Sequence, residues 1–185
     1  GTYHFPTIPG HEFSGRVEAV SDVENQRLVG KKVAVFPLIP CRKCAQCKTG
    51  HYEMCENYDY IGSRRDGAFA DYVAVPVSNL VELDECVDFE EAAMMEPLAV
   101  ALHAINQSGL KEGDSFAVVG TGMIAFAAAQ WAKRKGASSV TIFGRSETKR
   151  ELAEKIGDVE YRIAGANAEG FDVVLEAVGA PVSIE

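Results

Sequence analysis

The sequence has 185 residues, 47% of them hydrophobic, with a formal net charge of −9. That length and apolar content can fill a sizeable core, in one large or two small domains. The acidic balance and the lack of a Lys/Arg cluster argue against nucleic acid or an anionic membrane as the main partner, and no apolar stretch is long enough to span a bilayer.

From the start of the chain, Pro6, Pro9 and Gly10 mark an extended turn leading into His11 and Glu12. Imidazole and carboxylate are ligands suited to a catalytic zinc. Adjacent residues on a strand point to opposite faces, so both could ligate only from an irregular backbone; the other reading is a surface His-Glu pair. His4 has no such neighbour and reads as ordinary.

Short β-branched runs at 16–20 and 32–36 predict strands, as does alternation over 66–75, closed by Pro76, and a further run at 79–83. Between them lies Cys41-x2-Cys44-x2-Cys47-x7-Cys55, four thiols within fifteen residues. Zinc in a closed structural site takes four tetrahedral thiolates at such short spacings. A polar lobe carrying Pro40 and Gly50 has little to bury, so the metal would stabilise it directly. Disulfides fit poorly because nothing in the sequence looks secretory, and no signal-peptide pattern opens it. A ferredoxin-type cluster does not match the long last gap. Clustered thiols lead to the expectation of a reducing cytosol, with Cys86 a structural thiol without a task. The short strands and turns predict a β-rich, barrel-like module with the cysteine lobe as an excursion.

At Asp88 the pattern becomes helical, with Asp88 as N-cap and Glu91 three residues on. Pro97 is expected to break this helix in two. Glu96 falls among Met94, Met95, Leu98 and Val100, where a carboxylate needs a partner unless the kink exposes it.

From Ser115 strands and helices alternate: strands at 115–120, 139–143, 159–163 and 171–177, helices at 126–135 and 146–156, the latter opened by Ser146. This predicts a doubly wound, Rossmann-type unit. Gly120-Thr-Gly122-Met-Ile-Ala125 follows a strand and opens a helix. Gly120 makes the tight turn, Gly122 lets a pyrophosphate approach the helix N-terminus, and Met123 and Ile124 join them as cofactor-lining residues. An NAD site wants an acid after the second strand; this chain has Gly144-Arg145-Ser146 instead. Arg145 offers a fork and Ser146 a hydroxyl for a 2′-phosphate, which favours NADP over NAD. The connection at 164–170 has seven residues, short of the roughly dozen a parallel crossover takes. Either the flanking strands are not simple neighbours, or part of a crossover is absent.

With Pro9-Gly-His-Glu-Phe-Ser-Gly15, the stretch from Pro37 through the four cysteines, Tyr58 to Gly67, and Glu96-Pro-Leu-Ala-Val100, the whole chain resembles the zinc-dependent medium-chain alcohol dehydrogenase family, in its polyol branch. The resemblance implies a GroES-like catalytic domain at 1–109 and a Rossmann nucleotide-binding domain at 110–185, both incomplete. It makes His11, Glu12 and Glu96 catalytic-zinc ligands or near-ligands and Cys41, Cys44, Cys47 and Cys55 the structural-zinc set. It also implies that the family's zinc cysteine lies upstream of Gly1 and its C-terminal return beyond Glu185. Zinc would polarise an alcohol that passes hydride to NADP or NAD. Arg64 and Arg65 fall in a segment that lies near the substrate cleft in relatives, where they could hold a polyol phosphate; the other reading is a solvated charged turn. A homodimer or homotetramer in the cytoplasm, acting on a small polyol, is what the family implies. A non-catalytic zinc- and nucleotide-binding module, or a zinc-free reductase of the same superfamily, are the competing expectations.

Overall fold

In a computed structural model the described residues are 6–165 and 170–183. His4 and residues 166–169 of the short connection lie outside them. The chain forms two compact units, Gly1–Glu96 and Pro97–Glu185. No helix among the described residues is long and apolar enough to cross a membrane.

The first unit is built on strands β1 (Ser14–Arg16), β2 (Lys32–Val35), β3 (Leu38–Ile39), β4 (Asp59–Tyr60) and β5 (Leu80–Glu82). β2 is the middle of an antiparallel sheet ordered β1-β2-β5, and β3 pairs antiparallel with β4. Val33, Ala34 and Val35 are all buried, because β2 is covered on both faces rather than half exposed. Lys32, at its start, runs over the Phe89 ring and donates to the carbonyls of Glu85 and Val87. Asn79, 2% exposed, ties the sheet to the β3–β4 pair by donating to the carbonyls of Phe36 and Leu38. A short helix, α1 (Ala45–Lys48), sits in the cysteine lobe. Helix α2 (Phe89–Ala93) is capped by Asp88, which accepts from the Glu90 amide, and packs on β1 and β2.

Three expectations need correction here. The first strand is Ser14–Arg16, not 16–20, because the ladder to β2 ends at Arg16. Residues 66–75 form no strand: their alternation finds no ladder partner, and Phe69 and Tyr72 are 78% and 75% exposed. The helical run is in two pieces as expected, but the break lies at Met94, the C-cap of α2, and not at Pro97; a new helix, α3 (Met95–Gln107), begins at once. Pro97 lies in the first turn of α3, where its missing N–H has no helical partner to lose.

The second unit carries β6 (Ser115–Val119), α4 (Met123–Arg134), β7 (Ser139–Gly144), α5 (Arg150–Glu154), β8 (Glu160–Ile163) and β9 (Val173–Glu176). Its four strands are parallel in the order β8-β7-β6-β9. Numbered from β6 this is 3-2-1-4, the order of a Rossmann sheet. The sequence left two explanations for the short 164–170 connection; β8 and β9 stand at opposite edges, so they are not simple neighbours. Phe116, Val118 and Ile142 are fully buried against the alanine face of α4 (Ala125, Ala127, Ala128, Ala129, Ala132), whose small side chains let helix and sheet approach closely. α3 joins this core through Leu98, Ala101 and Ile105, and Trp131 donates to the Leu98 carbonyl. Truncating Phe116 to Ala would cost about 3–5 kcal/mol. Ser146 does not cap α5: its hydroxyl pairs with that of Thr148, and a 3-10 turn at Glu147–Lys149 precedes the helix.

Candidate functional site

Backbone, not side chains, places the His-Glu pair. Gly67 donates to Ile8 O at 2.7 Å, and Ala68 and Phe69 donate to Gly10 O and Pro9 O at 3.0 Å. Asp66 accepts from the Ile8 amide at 3.0 Å. The crossing is so close that a Cβ on Gly62 would lie 2.4 Å from Gly10 O, and one on Gly67 2.2 Å. Gly10 itself has φ of +105°, a conformation other residues rarely take. The chain leaves this crossing irregular, and His11 and Glu12 both turn toward Glu96, with their ligand atoms all within 4.8 Å of one another. Small side-chain movements would close that spread around a zinc with bonds of about 2 Å, and one imidazole with two carboxylates is a fitting donor set.

Tyr60 completes the group. Its hydroxyl donates to Glu96 Oε1 at 3.3 Å and its ring meets His11 edge-on, centroids 5.5 Å apart. Burial raises the Glu96 carboxyl above its ordinary range; His11 opposes that rise, the Glu12 charge adds to it, and the Tyr60 hydroxyl opposes it. Burial and then the Glu96 charge push the Tyr60 phenol up.

The four cysteine sulfurs also lie within 4.8 Å of one another, and none forms a disulfide. Zinc at bonds of about 2.3 Å would draw them together. Amides of Cys47 and Glu56 bring the Cys44 thiol down to about 6, and those of Lys43 and Cys44 lower Cys41. Burial and the neighbouring thiols raise Cys47 to about 12, so it is the one whose ionisation most needs a cation. The Cys41 amide also points at Cys55 Sγ, 3.2 Å away.

In the second unit, β6 is followed by Gly120, with φ of +126° and so little room that a Cβ would lie 3.0 Å from Ala177 O. Gly122 is the N-cap of α4, with open space where a side chain would project. The free amides of the first turn of α4 therefore face an accessible surface at the carboxyl end of β6, between β7 and β9, where doubly wound sheets bind nucleotides. Ile124 is half-buried and Met123 exposed, while Ala125, at the third glycine position, is fully buried. Arg145, after β7, is exposed.

The arginines expected near substrate are already engaged. Arg64 lies 3.8 Å over the Tyr58 ring and donates to Tyr58 O at 2.8 Å. Arg65 is paired with Asp59 at 2.7 Å.

Residues 1–85 match the alcohol dehydrogenase GroES-like domain. The galactitol 1-phosphate 5-dehydrogenase of Escherichia coli (strain K12) is 35% identical over 100% of this chain and 57% of its own length. The chain is similar along its whole length to zinc-binding alcohol and polyol dehydrogenases, and its first 85 residues match their GroES-like domain. The sorbitol dehydrogenase of Bacillus subtilis (strain 168) is 31% identical over 97% of this chain and 54% of its own length. A zinc-binding dehydrogenase of Sinorhizobium meliloti 1021, solved with NADP, superposes at a TM-score of 0.93 with 33% identity, over 100% of this chain and 58% of that one. The solved galactitol-1-phosphate dehydrogenase of Escherichia coli gives 0.79 and 38%, over 87% and 47%. The chain thus spans about half the length of the curated relatives it matches.

The structure brings together His11, Glu12 and Glu96 as one group and the four cysteines as another. It leaves Arg64 and Arg65 bound to their neighbours. Two residues escaped sequence reasoning. Tyr60 sat inside a quoted motif without a role, and its spacing to Glu96, 36 residues, is no periodic signal. Tyr161, in β8, reads in sequence as one more strand residue.

Proposed function

We propose that this chain is the zinc-binding and nucleotide-binding part of an oxidoreductase that moves a hydride between a secondary alcohol and a nicotinamide nucleotide, NADP(H) by preference. The observation that carries it is the convergence of His11, Glu12 and Glu96 from a backbone crossing tight enough to require glycine at 62 and 67. His11, Glu12 and Glu96 would hold the reactive zinc, and Cys41, Cys44, Cys47 and Cys55 a structural one. Bound at the first group, zinc supplies Lewis-acid polarisation of the substrate hydroxyl.

The chain's own residues do the rest. Tyr60 holds Glu96 by its hydroxyl and walls His11 with its ring. The open N-cap at Gly122 presents the first-turn amides of α4 to a pyrophosphate, and Met123 and Ile124 flank it. Arg145, with Ser146 beside it, would take a 2′-phosphate through a guanidinium fork.

The substrate class is a polyol or polyol phosphate, supported by relatives named galactitol 1-phosphate 5-dehydrogenase and sorbitol dehydrogenase. A phosphate would meet the remaining N–H groups of Arg64, since Arg65 is neutralised by Asp59. The test uses the full-length protein. Two zincs per chain, and NADP-dependent oxidation of galactitol 1-phosphate in preference to sorbitol, are expected. A single zinc, held by the cysteines, with no turnover of either alcohol would replace this reading with a non-catalytic module.

A further inference from the structure

At the end of β7 a carboxylate could meet the adenosine ribose of a nucleotide from either of two positions, 144 or 147, and the fold disarms both. The first would be a side chain at 144. Gly144 has no room for one: a Cβ there would lie 1.8 Å from the Tyr161 hydroxyl, 2.6 Å from its Cζ and 2.8 Å from Thr121 Cγ2. The register explains the collision. Tyr161 pairs with Ile142 across the parallel β7–β8 ladder, and Gly144, two residues on, shares that face. Tyr161 is 5% exposed and its hydroxyl donates to Ser146 O at 2.6 Å, so swinging it aside would strand a buried donor.

The second carboxylate is Glu147, which Arg150 holds through Nε and, at 3.1 Å, Nη2. Arg150 is itself seated on Tyr161: its guanidinium lies 5.0 Å from the ring centroid and Nη1 donates to Tyr161 O at 3.0 Å. What remains is Arg145, the one arginine among the described residues with no hydrogen bond, ion pair or ring contact.

We propose that Tyr161 determines the nucleotide preference of this unit: it fills the space beside Gly144, seats the Arg150 that engages Glu147, and so leaves Arg145 to select a ribose 2′-phosphate over a free 2′-hydroxyl. The proposal rests on the reading of Gly120–Ala125 as the nucleotide cradle. Tyr161 is a positioning residue acting through positions 144 and 147.

The experiment combines thermal melts with equilibrium binding of NADP+ and NAD+ to the full-length zinc-loaded protein. Gly144→Ala should lower the melting temperature by several degrees in the parent and clearly less in a Tyr161→Val background, where only the Thr121 methyl at 2.8 Å must still give way. An equal loss in both backgrounds would show that the two positions are not interlocked. In binding, Gly144→Asp with Tyr161→Val should shift the NADP/NAD affinity ratio toward NAD by about tenfold or more relative to Tyr161→Val alone, as loss of a charge-assisted contact does. Gly144→Asp alone, folding with the parent melting temperature and already preferring NAD, overturns the proposal. If Tyr161→Val does not fold, Arg150→Met carries the test: freeing Glu147 should move the same ratio toward NAD, and an unmoved ratio counts against Tyr161. A parent that binds neither nucleotide sinks the cradle reading and the proposal together. A parent that binds NADP, with uncoupled positions 144 and 161, sinks the proposal alone.

Discussion

Tyr60 reaches Glu96 from β4: its hydroxyl stands 3.3 Å from Oε1, long for an O–H···O bond, while its ring lies edge-on to His11. A residue far away in sequence thus limits how the Glu96 carboxylate can turn toward His11 and Glu12. Outer partners of this kind orient metal-binding side chains and tune their affinity. Tyr60→Phe keeps the ring against His11 and removes only the donor. Zinc affinity at His11, Glu12 and Glu96 should fall roughly 10–100-fold, with zinc at the four cysteines unaffected. Chelator competition following the two zincs separately would show this, and equal retention of both would rule the role out.

The glycine crossing predicts a sharp contrast between positions. Gly67→Ala puts a methyl 2.2 Å from Gly10 O, and the obstacle is backbone, which cannot rotate away. Displacement of the Gly10–Glu12 segment should cost about 1–3 kcal/mol and scatter the His-Glu-Glu group. Gly15→Ala meets nothing within 4 Å and should change stability little. Denaturant midpoints with zinc analysis would show the two variants apart; similar behaviour of both would count against the crossing as the positioning device.

What sequence could show of this molecule was local. The cysteine spacing and the Gly120–Ala125 turn carry their chemistry within a few residues, and the structure gathers both sets. The alternation at 66–75 reports two faces without reporting a partner strand, and no ladder forms there. Pro97 looked like a breaker because its place within the first turn of α3 depends on where α2 ends, at Met94. Tyr60 and Tyr161 act across non-adjacent segments: one through the approach of β4 to Glu96, the other through the β7–β8 register. No periodicity within one strand encodes either relation.

Asn79 offers a prediction about the first unit alone. Its side-chain amide, buried, donates to Phe36 O at 2.7 Å and Leu38 O at 2.8 Å. Asn79→Ala leaves two carbonyls without that donor as well as a small cavity, at a cost of about 2–4 kcal/mol. A loss under about 0.5 kcal/mol, within the range of surface substitutions, would mean that the link contributes nothing net.

Arg145 carries the nucleotide choice in the proposed function, and it can be tested without turnover. With no competing ion pair to break, its guanidinium is available to a phosphate at little reorganisation cost. Arg145→Ala should weaken NADP binding by roughly 10–100-fold and leave NAD binding nearly unchanged. Raising the salt concentration should weaken NADP binding to the parent more than to the variant, because an exposed charge pair is screened. Calorimetry with both nucleotides decides it; parallel losses for the two would make Arg145 a general contact and remove the argument for NADP.

The second unit should lose stability in acid through two carboxylates that flank β9, one tied to β6 and one to the turn that follows β9. Asp172 accepts from the Ser115 hydroxyl at 2.6 Å and from its amide at 2.8 Å, and these bonds hold its carboxyl below the usual range. Glu176 accepts from the Ser183 hydroxyl and the amides of Val178 and Gly179, with the same effect. Each group is more acidic folded than unfolded. The unfolded chain therefore binds protons first as pH falls, and the stabilisation is complete above the ordinary carboxylate values near 4 and lost below them. Melts from pH 7 down to about 3 should show a decline beginning near pH 5. Asp172→Asn should be less stable at pH 7 and should show a shallower acid dependence, since the titrating group is gone. An unchanged slope in that variant would place the acid sensitivity elsewhere in the fold.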